Sequence, residues 1–268
     1  MIRSTAVRRR ARRQLIGGIL ALAAALAVTG SAAWWWFAGR GPELDPDTLC
    51  PLNGPRGHAV LLVDRTDPLN FTQRQAFLAY LTELGRDRLG EGELLTVFAL
   101  GEELTASAEP LFAMCHPGRG QGRDRWTSNP ERLRRRFEDR FLKPVMALAD
   151  RLQATTPARH SPLMEMLQLV AIKGFRARPV TGPRRLFVVS DMLHNTPAYS
   201  QYRDPVDFQW FRETPLFHKV KTDLGGVEVE LAYLLNAPAR QTRRQAKFWE
   251  DYFEAQGARL VAVRILEG

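Results

Sequence analysis

The chain has 268 residues, 45% hydrophobic and 25% charged, a globular balance that excludes disordered and collagen-like classes. The formal net charge is +9, yet residues 1–40 hold seven arginines and no acid, which leaves 31 bases against 29 acids in residues 41–268. The body is nearly neutral, so the basic face that nucleic acid requires is not expected on it, and no nucleic-acid partner is expected either.

Residues 1–14 form a basic tail with six arginines. Residues 15–39 carry no charge, and Leu15 to Phe37 is nearly all Leu, Ile, Ala, Val, Gly and aromatics. At ~1.5 Å per residue this stretch spans the ~30 Å hydrocarbon core of a bilayer. It ends in Trp34-Trp35-Trp36-Phe37, residues suited to the headgroup layer. The expectation is a single-pass anchor over 15–39 in the inner (cell) membrane. The arginines hold the N-terminus in the cytoplasm and the rest lies in the periplasmic or extracytoplasmic space. A cleaved signal peptide is the alternative, with small residues at Gly30-Ser31-Ala32 and a loose twin-arginine pattern at Arg12-Arg13-Gln14-Leu15-Ile16. Both readings place the body outside the cytoplasm.

Residues 40–56 are rich in proline and glycine and read as a linker, with one domain over 57–268. His58 to Val63 is an apolar run of strand length, of the kind buried on both faces of a sheet. It ends in the polar loop Asp64-Arg65-Thr66-Asp67-Pro68. A helix follows, with Thr72 and Gln75 as its expected capping box and Phe77, Leu78, Leu81 and Leu84 as its apolar face. Leu94 to Leu100 is a second strand and Leu111 to Met114 a short third.

Residues 116–129 hold Gly118, Gly120 and Gly122 but lack the Gly-Lys-Ser/Thr ending of a phosphate loop, and read as a surface loop. Ser128-Asn129-Pro130-Glu131 starts a helix whose apolar face runs from Leu133 to Leu152, with a break expected at Pro144. Arg132, Arg134, Arg135 and Arg136 give it a charged face for solvent. Ser161-Pro162 opens a helix from Leu163 to Phe175. Strands then follow at Arg185 to Ser190 and Val227 to Leu234, a helix at Arg240 to Gln256 stopped by Gly257, and a last strand at Leu260 to Leu266. Strands alternating with helices imply an α/β, doubly wound, mostly parallel sheet.

In such a sheet ligands sit beyond the carboxyl ends of the strands, where strand order reverses. Asp64 and Thr66, Ser161, and Asp191 fall on loops that can meet there. Two carboxylates, two hydroxyls and waters suit a hard cation such as Mg²⁺, with Mn²⁺ or Ca²⁺ as alternatives. The two cysteines, Cys50 and Cys115, match no zinc spacing with His116; a disulfide or two separate thiols both remain open.

At these residues the chain resembles the von Willebrand factor A family. That family has an apolar first strand ending in Asp-x-Ser-x-Ser, a Thr on a later loop and an Asp ending its fourth strand, which together form a metal ion-dependent adhesion site. Asp64 and Thr66 match the first two positions, Ser161 takes the place of the Thr by order, and Asp191 in Val-Val-Ser-Asp matches the last. Pro68 departs from the pattern, standing where the third hydroxyl belongs. The C-terminal part, with Phe248-Trp249 and Tyr252-Phe253 on its helix, also looks like the family's ending. The resemblance implies a Rossmann-like sheet with an antiparallel edge strand at Leu111 to Met114. It thereby implies that Cys115 and Cys50 come together in a disulfide.

The function implied is a membrane-anchored binding module for a protein partner not identifiable from sequence, one of whose acidic side chains completes the cation's coordination. His58, His116, His160, His194 and His218 are scattered and offer no evident base, although His160 and His194 each neighbour a site loop. An enzyme is the alternative. Asp64-Arg65-Thr66-Asp67 also resembles the start of haloacid dehalogenase-like phosphatases, with Asp64 as nucleophile and Lys173 available downstream. A scaffold with a vestigial metal site is the third reading. The aromatic run Tyr199, Tyr202, Phe208, Trp210 and Phe211 is open to two readings, a partner surface or a packed lid.

Overall fold

The computed structural model describes residues 3–38, 43–120, 129–154 and 158–266. Arg40, Gly122 and Ser128 lie outside them. The long helix α1 (Arg3–Ala38) belongs to one compact unit and contains an apolar span, Ile16–Trp34, long enough to cross a membrane.

The second unit alternates strands and helices. In chain order these are β1 (Gly57–Asp64), α2 (Phe71–Glu83), β2 (Glu93–Leu100), α3 (Leu104–Ser107), β3 (Phe112–Cys115), α4 (Pro130–Phe137), α5 (Lys143–Ala147), α6 (Ala149–Gln153), α7 (Leu163–Leu169), β4 (Arg184–Ser190), α8 (Phe208–Arg212), α9 (Pro215–Val220), β5 (Val227–Leu234), α10 (Arg243–Ala255) and β6 (Arg259–Leu266). The six strands form one sheet in the order β3-β2-β1-β4-β5-β6. All neighbours are parallel except β3, which runs antiparallel to β2. The α/β class is as the sequence suggests, and the antiparallel edge strand is as the family resemblance implies.

Alternation along each strand divides the core. Val60 and Leu62 of β1 face one side, with Leu167, Phe211 and Phe248. Ala59, Leu61 and Val63 face the other, with Phe77, Phe141 and Leu152. Because all of β1 and β2 is buried, their sequences read as continuous apolar runs rather than alternating ones.

Several local expectations shift. The capping box of α2 is Asn70 with Gln73, two residues before Thr72 and Gln75: Asn70 Oδ1 accepts from Gln73 N at 2.9 Å and Gln73 Oε1 accepts from Asn70 N at 3.0 Å. Both pairs have the same three-residue spacing, and Asn70, extended at ψ 174°, is the residue outside the helix. The break near Pro144 takes the form of a wide π-type turn over Glu138–Leu142, which frees the carbonyl geometry that a proline cannot serve. Gly257 ends α10 with φ +82°, and a Cβ there would lie 3.1 Å from Gly225 Cα, so glycine suits it on both counts.

Residues 43–56 pack onto the domain. Leu49 is buried, Leu44 bridges Pro51, and Arg140 donates to Pro46 O at 2.6 Å. Cys50 and Cys115 form a disulfide.

Candidate functional site

β1 and β4 are adjacent and parallel, with Val63 beside Val189, and the strand order reverses between them. Their carboxyl ends therefore open the crevice in which doubly wound sheets place their ligands. Asp64 ends β1 there, buried. Its Oδ1 accepts from Thr66 N at 3.0 Å and Thr66 Oγ1 at 2.7 Å; its Oδ2 accepts from Ser190 Oγ at 2.8 Å and, more weakly, from Ser161 Oγ at 3.4 Å. Ser161 is brought in by a short backbone pairing with Asn195, on the loop after β4.

Asp191, one residue past β4, is also buried. Its Oδ1 accepts from Leu193 N at 2.9 Å. Its Oδ2 is buried without a hydrogen-bond partner among the described residues. Burial raises the carboxyl of Asp191 well above the ordinary aspartate range, and the nearby charges of Asp64 and Asp67 raise it further. Burial also raises Asp64, against the four hydrogen bonds that favour its charged form. Asp67, half-buried, is raised by burial and by Asp64. Three carboxyl groups thus crowd one crevice.

The turn that carries Asp191 is held from α10. Met192 adopts φ +59°, a conformation a side chain disfavours, and is fully buried. Its carbonyl accepts from Gln245 Nε2 and from Trp249 Nε1, both at 2.7 Å, while its N–H donates to Ser190 Oγ at 2.8 Å. At the rim, Tyr202 is 39% exposed, with the Arg240 guanidinium 5.0 Å over its ring.

All four residues expected at the site, Asp64, Thr66, Ser161 and Asp191, lie at this crevice. Sequence reasoning missed Asp67, Ser190 and the Gln245–Trp249 clamp. Ser190 stands directly before Asp191, a signal that could have found it; the clamp is long-range and left none. Pro68 is exposed and supplies no ligand. Among the described residues no group of three or more His, Cys, Asp or Glu is arranged as a metal cluster, so any cation here draws on hydroxyls as well as carboxylates.

Neither histidine near the site bonds to Asp64 or Asp191. His160 lies 3.3 Å from Glu102. His194 is fully buried, not exposed; its Nδ1 accepts from Met164 N at 3.3 Å, and burial lowers its pKa to about 3. Lys173 is half-exposed and pairs with Glu109 at 3.0 Å. Ten residues separate it from Leu163, about 15 Å of helix, so the lysine of a phosphatase site is not delivered to Asp64. Tyr199, Phe208 and Phe211 are buried around Phe248 and form core rather than surface.

No family model matches the chain, and no curated protein matches it either. Solved structures do. The SpRpn10 VWA domain matches with TM-score 0.35 and 8% identity over 80% of this chain and 88% of that one. An aerotolerance-related membrane protein from Bacteroides fragilis NCTC 9343 matches with TM-score 0.36 and 8% identity over 79% and 91%. Proximal thread matrix protein 1 from the mussel byssus matches with TM-score 0.35 and 11% identity over 76% of this chain; the match spans 49% of that protein. The functional reading rests on this chain's own residues.

Proposed function

We propose that this chain is a membrane-anchored, extracytoplasmic von Willebrand factor A-like module that binds a protein partner through a divalent cation. The observation that carries this reading is the Oδ2 of Asp191, buried without a hydrogen-bond partner among the described residues, in the same crevice as Asp64. A buried carboxylate oxygen without a donor is costly, and a hard cation relieves both that cost and the mutual repulsion. Asp64, Thr66, Ser161 and Asp191 are the residues that would hold Mg²⁺, or Mn²⁺ or Ca²⁺. The cation would supply a Lewis-acidic position for an acidic side chain of the partner. With Pro68 in place of a hydroxyl, water would take the ligand position that Pro68 cannot supply.

The apolar span in α1, the arginines before it and the Cys50–Cys115 disulfide support an anchor with the domain on the oxidising side of the membrane. The test is calorimetric titration of the full chain in detergent with MgCl₂ and MnCl₂. Saturable one-site binding, weakened tenfold or more by Asp64→Ala with thermal unfolding still cooperative, is expected. Absence of binding by the wild-type chain would overturn the metal and leave a scaffold.

A further inference from the structure

The sheet has two edges, and the chain treats them differently. At one, β3 is covered by residues 43–52: Cys115 N donates to Thr48 O at 2.8 Å, and the disulfide ties the cover down. At the other, β6 pairs with β5 alone among the described residues. Edge strands are ordinarily blunted by charged side chains, proline, a bulge or a covering segment. β6 contains no lysine and no proline, and it presents Val261, Val263 and Ile265 at 45%, 47% and 54% exposure. A bulge interrupts only its first half; from Ala262 to Leu266 it is in regular register with β5. Arg264 lies on the opposite face, 2.9 Å from Glu83 and 3.4 Å from Glu230. Beside the exposed row, α10 contributes Ala246 to a shallow groove whose rim carries Arg243, Lys247 and Glu250.

We infer that this edge is filled by β6 of a second copy of the chain, added antiparallel about a two-fold axis through Val263. The strand is self-complementary about that residue. Val263 faces its own copy, Val261 at the bulge meets Ile265 of the second copy, and Arg264 faces Ala262. Moving the axis to Arg264 sets two arginines directly opposite, which is unfavourable. Moving it to Ala262 sets Ile265 against Arg259. Of these three, only the Val263 axis sets the whole apolar row against itself with no like charges opposed, and its Arg264 meets only the small Ala262. The contact is isologous and closes on itself, joining two six-stranded sheets with their α10 helices on the same face.

The chain's two cysteines are bonded to each other, so an introduced thiol is the one free thiol. The full chain carrying Val263→Cys, oxidised in membranes with copper phenanthroline, is expected to run as a covalent dimer. Val261→Cys alone is not, because the two copies of that residue sit four positions apart, about 13 Å at ~3.3 Å per residue. In detergent, light scattering is expected to give two copies for the wild-type chain and one for Val263→Lys, with unchanged circular dichroism. The inference is overturned if Val263→Cys stays monomeric or if Val261→Cys crosslinks equally well. It is also overturned if the wild-type chain is a monomer, or if Val263→Lys is as dimeric as wild type, which would move the contact elsewhere.

Discussion

Asp191 concentrates the tension of the site in one carboxyl group. Its Oδ1 is satisfied by Leu193 N, its Oδ2 is buried without a hydrogen-bond partner among the described residues, and its charge faces that of Asp64, eased only in part by the Asn236 side chain. A carboxyl raised in the folded state holds a proton that the unfolded chain releases. Stability therefore falls as pH rises past the ordinary aspartate range, until the folded group ionises too. Asp191→Asn keeps the Oδ1 acceptor and removes the charge. In EDTA at pH 7 it is expected to raise the melting temperature by a few degrees, corresponding to about 1–2 kcal/mol. It should also flatten the dependence on pH and abolish stabilisation by Mg²⁺. A lower melting temperature for the variant in EDTA would show that the charge is already compensated in the folded chain.

The strands and most helices were legible because burial writes itself into sequence: β1, β2 and β4 each carry an apolar run bounded by polar residues. Asp64 and Asp191 were legible for a related reason, since each is the first charged residue after such a run. What stayed hidden depends on distant contacts. The short helices α8 and α9 span only five and six residues, too few for a periodic pattern to show, and their aromatics pack into the core beside α10. The strained turn at Met192 carries no glycine to announce it, and its support arrives from Gln245 and Trp249, more than fifty residues on. Trp249→Phe deletes one of the two donors to the Met192 carbonyl and leaves a small void, at an expected cost of about 2–3 kcal/mol. The loss is expected to be local: amide exchange at Leu193 should accelerate well before that at Phe98 in β2. Uniform acceleration across the sheet would assign Trp249 to general packing and not to the Asp191 turn.

Across the whole domain, the two core faces carry buried histidines as well as apolar side chains. His58 bonds Thr96 at 2.8 Å and meets the Phe175 ring. His116 sits against Phe137 and Phe141, and His194 lies under the site loop. Burial lowers the first two to about 4 and the third to about 3. Each is neutral in the folded chain and takes a proton first in the unfolded one, so stability is lost as pH falls from about 6.5 toward those values. At pH 5 the loss is about 2 kcal/mol for each histidine, a large share of the ~5–15 kcal/mol typical of a domain. Asp191, held well above the ordinary aspartate range, acts in the opposite sense and gains stability on acidification. Urea unfolding of the Asp191→Asn chain removes much of that opposing contribution. Its midpoint is expected to drop more steeply between pH 7 and pH 5 than that of wild type, and His116→Phe in the same background should recover part of the drop. A midpoint that stays level in both would mean that these histidines are protonated within the fold, against the burial of all three rings.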